Sequence, residues 1–456
     1  MRSSDPASTF FTSLFYRFLS VTLASSIFAV TPAFARTNEA PSPLPVSGDV
    51  LIAGGISKGG LATNTAEFYS VNSRKFVATG SMTTARATHQ SEVMTDTPES
   101  EINNDVGEIS MIGGFSGSAK PARSSITFNI VTRDDFELYD PATGTFAVPT
   151  LPTLEPMSTP RAFFAALDMP ADAPHIMGHF VAIAGLCNAA DLDPCRTSDV
   201  IHPDDHVTGT SDPLVGRMMH TATLLQDETS ILVTGGFGDL AGTALNTAEM
   251  LDTNTDVFSP IPNMNAARAG QTATILNDGT VLIAGGFDGT GAAQNSAEIF
   301  DPVTVTFTPL ATPMHDSRAW HTATLLSDGT VLLAGGFNGS ATMALTGAAS
   351  AVTGTWGASS GSVLRSAEIY DPTLKTFTCV HGVIIRTGHC RTAMKAARME
   401  QTATALADGD VLIAGGFGAL KALAPVRSAE LFHAGKFLAT GSMSTARAWH
   451  SAVVLP

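Results

Sequence analysis

HTATLLQDETSILVTGGFGD (220–239), GQTATILNDGTVLIAGGFDG (270–289) and WHTATLLSDGTVLLAGGFNG (320–339) are copies of one unit, and their Gly-Gly pairs start at Gly235, Gly285 and Gly335. A further copy, EQTATALADGDVLIAGGFGA, begins at Glu400. Self-similarity at a fixed period marks a stacked repeat architecture. Each unit reads as four short strands. Thr-Ala-Thr-Leu-Leu is followed by an Asn-Asp-Gly or Ser-Asp-Gly hairpin turn. Val-Leu-Ile-Ala is continuously apolar, as a strand buried on both faces must be. It ends in Gly-Gly, where the absence of Cβ permits close backbone approach. A third strand follows in SAEIFDP (296–302) and SAEIYDP (366–372), and Asp-Pro opens a turn. The fourth carries a Phe nine residues after the Glu, as in Glu298/Phe307 and Glu368/Phe377.

Working outward, Gly-Gly or its remnant occurs at Gly54, Gly113, Gly185, Gly235, Gly285, Gly335 and Gly415, the third with Leu186 in place of the second Gly. An Arg precedes each first strand, at Arg86, Arg161, Arg217, Arg268, Arg318, Arg398 and Arg447. Both tallies give seven units, and they are out of phase. The chain opens on a second strand at Val50–Ala53 and closes on a first strand at 449–455, so the last strand is expected to complete the first unit.

The pattern resembles the kelch repeat, with Phe where that repeat usually ends in Trp. The resemblance covers residues 49–456 and implies an all-β fold: a seven-bladed β-propeller of four-stranded antiparallel blades. It also admits two kinds of enzyme. Copper radical oxidases similar to galactose oxidase use tyrosines, a Tyr–Cys crosslink and two histidines near the axis. Here Trp320-His321 and Trp449-His450 stand where that family presents Tyr-His, so the oxygen ligand is missing. Exported kelch epimerases acting on sialic acid are the other relative.

Composition narrows the function. The 456 residues are 44% hydrophobic and only 14% charged, too apolar for a disordered chain. A net charge of −16 repels phosphate backbones, so nucleic acid is not an expected partner. Residues 1–35, with Arg2, Arg17, an apolar run over 18–30 and Ala33-Phe34-Ala35, read as a signal peptide, with an uncleaved anchor as the alternative. Residues 36–48 read as an extended leader. No later segment is apolar enough to span a membrane, so a secreted or periplasmic location is expected. Cys187 with Cys195 and Cys379 with Cys390 fit disulfides of an exported chain. His381 and His389 inside the second loop leave a small metal site open, with a plain disulfide hairpin preferred; no metal or cofactor is expected.

The arginines have acidic partners at the third-strand position: Glu67, Glu137, Asp199, Glu249, Glu298, Glu368 and Glu430. A ring of buried ion pairs is preferred over a cationic pocket, because an unpaired buried charge is costly. His89, His220, Gln271, His321, Gln401 and His450 are repeat positions first and candidate ligands second. The expected function is a non-catalytic binding module for a protein or glycan, the alternative an exported enzyme acting on a sugar. Candidate ligand contacts are Trp356, His321, His450, Arg318 and Arg447. Trp356 lies in the long insertion Asn338–Leu364, one of several insertions assigned to a single face, which is the expected binding face; the alternative is that Trp356 packs its Gly/Ala-rich loop down onto the propeller. Gly357–Gly361 spells G-x-S-x-G without a strand-to-helix elbow, and His202–His206 reads as a solvated turn.

Overall fold

A computed structural model describes residues 43–94, 107–122, 124–148, 156–169, 180–187, 194–201, 207–209, 211–348, 351–420 and 424–456. The signal segment, most of the leader, the insertions at 95–106 and 170–179, most of the first Cys loop and His202–His206 lie outside these residues. No helix among the described residues is long and apolar enough to cross a membrane.

The fold is all-β, and most of its sheets are four-stranded and antiparallel. Thr272–Ile275, Val281–Ala284, Ala297–Asp301 and Thr306–Pro309 make one such sheet. Thr221–Leu224, Ser230–Thr234, Ala248–Asp252 and Val257–Ile261 make another with the same order. The apolar second strand explains the stacking of one sheet on the next. Val281 and Ile283 pack with Leu232 of the preceding sheet, while Leu282 and Ala284 pack with Val331 and Leu333 of the following one. A strand with a hydrophobic neighbour on both faces has no polar side to show. The Glu-to-Phe spacing is a cross-strand device: Phe300 faces Phe307 in register, with ring centroids 4.8 Å apart.

One sheet joins the two ends of the chain. Ser451–Val454 pairs with Val50–Ala53, which pairs with Thr63–Ser70, which pairs with Lys75–Arg86. Gly48 adds a bond from its N–H to the Leu455 carbonyl at 2.9 Å. First strands also touch in sequence: Gln90–Val93 meets Ser451–Val454 on one side and Ala165–Asp168 on the other.

Two expectations need correction. The degenerate Gly-Gly lies one residue earlier than its sequence suggests. Ala184, at φ 50°, takes the first glycine's place, Gly185 takes the second, and Leu186 occupies the slot that Phe287 fills elsewhere. The Gly185 N–H bonds to the Arg217 carbonyl as the Gly286 N–H bonds to that of Arg318. The long insertion, for its part, is not a loop. Ala341–Ala348 and Ala351–Ala358 form a hairpin that pairs with Ser125–Thr132, itself paired with Phe115–Pro121. The alternation of Met343 and Leu345 inward with Thr342 and Thr346 outward is the period-two signature of a half-buried sheet.

Deleting Arg447–Pro456 removes the partner strand of Val50–Ala53, not a tail. The truncated chain should lose its cooperative melting transition by circular dichroism; an unchanged melting temperature would refute this.

Candidate functional site

Each repeat arginine is buried and its guanidinium meets a third-strand carboxylate. Arg86 contacts Glu137 at 2.8 Å, Arg161 contacts Asp199 at 2.6 Å, and Arg318 contacts Glu368 at 2.8 Å. Arg268–Glu298 and Arg398–Glu430 are 3.1 Å, Arg447–Glu67 is 3.0 Å, and Arg217 pairs with Glu249. The other guanidinium nitrogen donates to backbone carbonyls, as Arg268 does to Gly285 and Ser296. The carboxylate accepts N–H groups of the preceding loop, Asn265 and Ala266 at Glu298. These charges are matched on the spot and leave no free cationic surface.

Two residues after each arginine the backbone turns left-handed: Thr88, Phe163, Met219, Gly270, Trp320, Glu400 and Trp449 have φ between 53° and 63°. Non-glycine residues avoid this region unless neighbours enforce it. Here the enforcing contact is a hydrogen bond to the equivalent residue of the neighbouring repeat. The Trp320 N–H donates to Gly270 at 2.8 Å, Gly270 to Met219 at 3.1 Å, and Met219 to Phe163 at 2.9 Å. The Phe163 N–H donates to the Thr88 hydroxyl at 3.4 Å. Thr88 donates to Trp449 at 2.9 Å, Trp449 to Glu400 at 3.4 Å, and Glu400 to Trp320 at 3.0 Å, which completes the circle. Gly270 is needed for space as well: a Cβ there would sit 2.6 Å from the Trp320 ring.

This circle lines a cavity of about 600 Å³ together with His89, Phe164, His220, Gln271, His321, Gln401 and His450. His89, His321, His450 and Gln401 meet a hydroxyl of the neighbouring first strand, and Gln271 and Gln401 donate to the second-strand carbonyls of Thr234 and Ala334. His321 Nε2 lies 3.1 Å from the Thr272 hydroxyl, His450 Nε2 3.0 Å from that of Thr402, and His89 Nε2 2.9 Å from that of Ser451. His220 breaks the pattern because the corresponding residue is Ala165, which has no hydroxyl. Neither ring nitrogen of His220 has a partner. Nδ1 of His89, His321 and His450, Oε1 of Gln271 and Gln401, and the indole N–H of Trp320 are also buried without partners, while the Trp449 indole interacts with the Glu400 carboxyl. Buried polar atoms are normally satisfied, so such a concentration around one cavity marks a place for a ligand or water.

The imidazoles are neutral. Burial, followed by the Arg217 and Arg161 charges, holds His220 at about 3; burial and then Arg447 and Arg398 do the same for His450. His89 and His321 are also held well below 6.5, with burial the leading cause. Glu400, between the two tryptophans in the circle, is pushed up to about 7 by burial.

Of the candidate ligand contacts, His321 and His450 line the cavity, whereas Arg318 and Arg447 are fully buried in their ion pairs. Trp356 is the correction. It is only 2% exposed, with its ring centroid 5.2 Å from that of Trp320 and 5.5 Å from that of Phe337. Its strand belongs to a cap sheet whose inner face, with Phe128 stacked on Trp449 at 5.9 Å, continues the hydrophobic cluster around the circle. The residue the sequence reading missed is Glu400, which stands where other repeats carry Trp, Phe or Met; its single-residue difference is the available signal. Both cysteine pairs are disulfides, with Cα atoms 5.5 and 5.4 Å apart, which points to an oxidising compartment. Tyr69, Tyr139 and Tyr370 lie in third strands, and none lines the cavity.

Residues 218–265 and 268–314 each match the family model of the kelch motif. The chain carries kelch motifs over residues 218–314. No curated protein matches it. The matched kelch units begin at Met218 and Arg268, so the motif's own boundary falls at the arginine and the left-handed circle.

Removing one partner of a buried pair strands the other. Glu298→Ala should cost about 3–5 kcal/mol in urea unfolding, and the double replacement Arg268→Met/Glu298→Leu clearly less. The cavity groups set the pH dependence. Between about pH 6.5 and 3 the folded state binds fewer protons than the unfolded one at the lowered histidines, so stability falls as pH drops through this window. His220→Phe should flatten that loss by up to about 1.4 kcal/mol per pH unit. Glu400 acts oppositely: its raised carboxyl costs stability as pH rises from about 4.5 to 7. Glu400→Gln should therefore stabilise at pH 8 and not at pH 4.

Proposed function

We propose that the chain is an exported, seven-bladed kelch propeller, closed by the pairing of its last strand with its first, that acts as a non-catalytic binding module for a protein or glycan partner. The circle of left-handed residues and the pairing of Ser451–Val454 with Val50–Ala53 support the closed ring. The amino-terminal segment and the two disulfides support export.

The observation that carries the binding reading is the contrast inside the site. The repeat arginines are matched by carboxylates, although five of them keep a buried Nε without a partner, while the cavity beside them holds unpartnered atoms of neutral imidazoles, two glutamine amides and the Trp320 indole. Such a lining suits an uncharged, hydroxyl-rich group that donates and accepts at several points, with tryptophan surface beside it. An anion would find no free cation there. This favours a glycan, or the polar end of a partner chain, seated in the axial cavity rather than on the insertion face.

A second reading rests on Glu400. A carboxyl near pH 7 in a cavity is matched to general acid–base work, and would make the chain an enzyme acting on a sugar.

Thermal-shift screening of the full chain against neutral oligosaccharides tests both. A bound sugar should raise the melting temperature, and Trp449→Ala or His220→Phe should reduce that rise. Chemical conversion of the bound sugar, abolished by Glu400→Gln, would establish the enzyme instead. A sugar effect that survives both cavity substitutions would place the site elsewhere.

A further inference from the structure

One ion pair of the ring differs from the others in its surroundings. In several repeats the carboxylate accepts two loop N–H groups: Leu214 and Val215 at Glu249, Asn265 and Ala266 at Glu298, Lys395 and Ala396 at Glu430. At Glu368 these groups belong to His315 and Asp316, and His315 also brings Nδ1 to 3.1 Å from Oε2. Glu368 faces Cys379 across the strand pair, and Cys379 is bonded to Cys390. His315 Nδ1, a Glu368 oxygen and the two Sγ atoms all lie within 4.8 Å of one another. Among the described residues no other group of three or more His, Cys, Asp or Glu does this. Glu368, Cys379 and Cys390 are buried, while the His315 side chain is 30% exposed and gives an ion a way in.

We propose that this quartet is a redox-gated metal site, closed while the Cys379–Cys390 disulfide is intact and able to hold a zinc-like divalent cation once it is reduced. Two thiolates, one imidazole and one carboxylate form a tetrahedral donor set of the kind zinc takes, whose ligand-to-ligand edges are roughly 3.3–3.8 Å. Small side-chain shifts reach that geometry from the present spacing, and the cysteine Cα atoms are already 5.4 Å apart.

The chemistry balances as two steps. A dithiol reductant attacks one sulfur, passes through a mixed disulfide and leaves as its own disulfide; Cys379 and Cys390 gain two electrons and two protons. The cation then displaces both thiol protons to solvent and binds the two thiolates, the Nδ1 lone pair of His315 and Oε2 of Glu368. It takes the place of the present contact between His315 and Glu368. Three anionic ligands around a dication leave one negative charge, and Arg318 offsets it from 2.8 Å on the other Glu368 oxygen, which it also orients. Asp316 is held apart from the site, with Oδ2 on the Ser366 hydroxyl and Oδ1 on His389.

The test uses the full chain reduced with a phosphine, which does not chelate the ion, then titrated with cobalt(II) alone. The reduced protein should bind one cobalt with thiolate-to-metal charge-transfer absorption that zinc displaces, and the oxidised protein none. Cys379→Ser/Cys390→Ser should abolish the band, and Cys187→Ser/Cys195→Ser should leave it. His315→Ala should weaken binding about tenfold or more, while its oxidised form melts like the parent. Three results overturn the proposal: a reduced chain that melts cooperatively and binds no cobalt, a reduced chain that no longer folds, or binding indifferent to His315→Ala.

Discussion

The buried guanidinium–carboxylate pair is the interaction on which the rest of the structure depends. A charged side chain with no exposure must recover its lost hydration from fixed partners. Each arginine does so by gathering the groups that an irregular backbone leaves unpaired. Arg398 takes the carbonyls of Gly415 and Ser428 as well as Glu430, and Glu430 takes the N–H groups of Lys395 and Ala396. One side-chain pair thus satisfies the turn after the second strand, the start of the third strand and the loop before the first. The third repeat shows the limit of the device. Asp199 is one methylene shorter than Glu; it holds Arg161, but its other oxygen is left without a partner. Arg161 keeps the bonds to the carbonyl and hydroxyl of Thr197 that Arg217 makes to Thr247 and Arg398 to Ser428.

The glycine pairs follow from the same crowding. A Cβ on Gly285 would lie 2.2 Å from the Arg318 carbonyl, and one on Gly286 would lie 3.0 Å from the Gln271 Cβ. The first glycine makes room for the next repeat and the second for its own. Ala184 occupies the first position in the third repeat at φ 50°, the left-handed conformation that a glycine takes in the other repeats.

The repeat was legible in the sequence because its determinants are local and periodic: Arg, then the apolar run, the two glycines, the Glu and the Phe. What escaped was of two kinds. The cap sheet depends on Ser125–Thr132 pairing with Ala351–Ala358, two insertions from distant repeats. Ser125–Thr132 (SITFNIVT) has a strand-like alternation and Ala351–Ala358 (AVTGTWGA) is rich in small residues, but neither names its partner, and their pairing gives Trp356 a buried side. The register slip at Gly185 has another cause: Ala184 is left-handed without being glycine, and no residue type announces that. The cavity was half legible. Its histidines and glutamines repeat on schedule, but the lack of partners for His220 is a property of Ala165 across the strand interface, and the raised pKa of Glu400 comes from its burial, which outweighs the lowering by the Trp449 indole.

Repetition and departure from it have separate locations, and this bears on how such a scaffold acquires a ligand. Positions that hold one repeat to the next, such as the buried arginine and its carboxylate, recur from repeat to repeat. Differences collect in the circle of left-handed residues, where Thr, Phe, Met, Gly, Trp and Glu share one backbone geometry and so exchange without disturbing the sheets. Trp320 and Trp449 then serve two surfaces at once: they line the cavity, and their other sides carry Trp356 and Phe128 of the cap sheet. The cap therefore sets how far the indoles can move away from the cavity. Under the proposed binding role, such a cap would limit the size of the group the cavity could admit without touching that group itself.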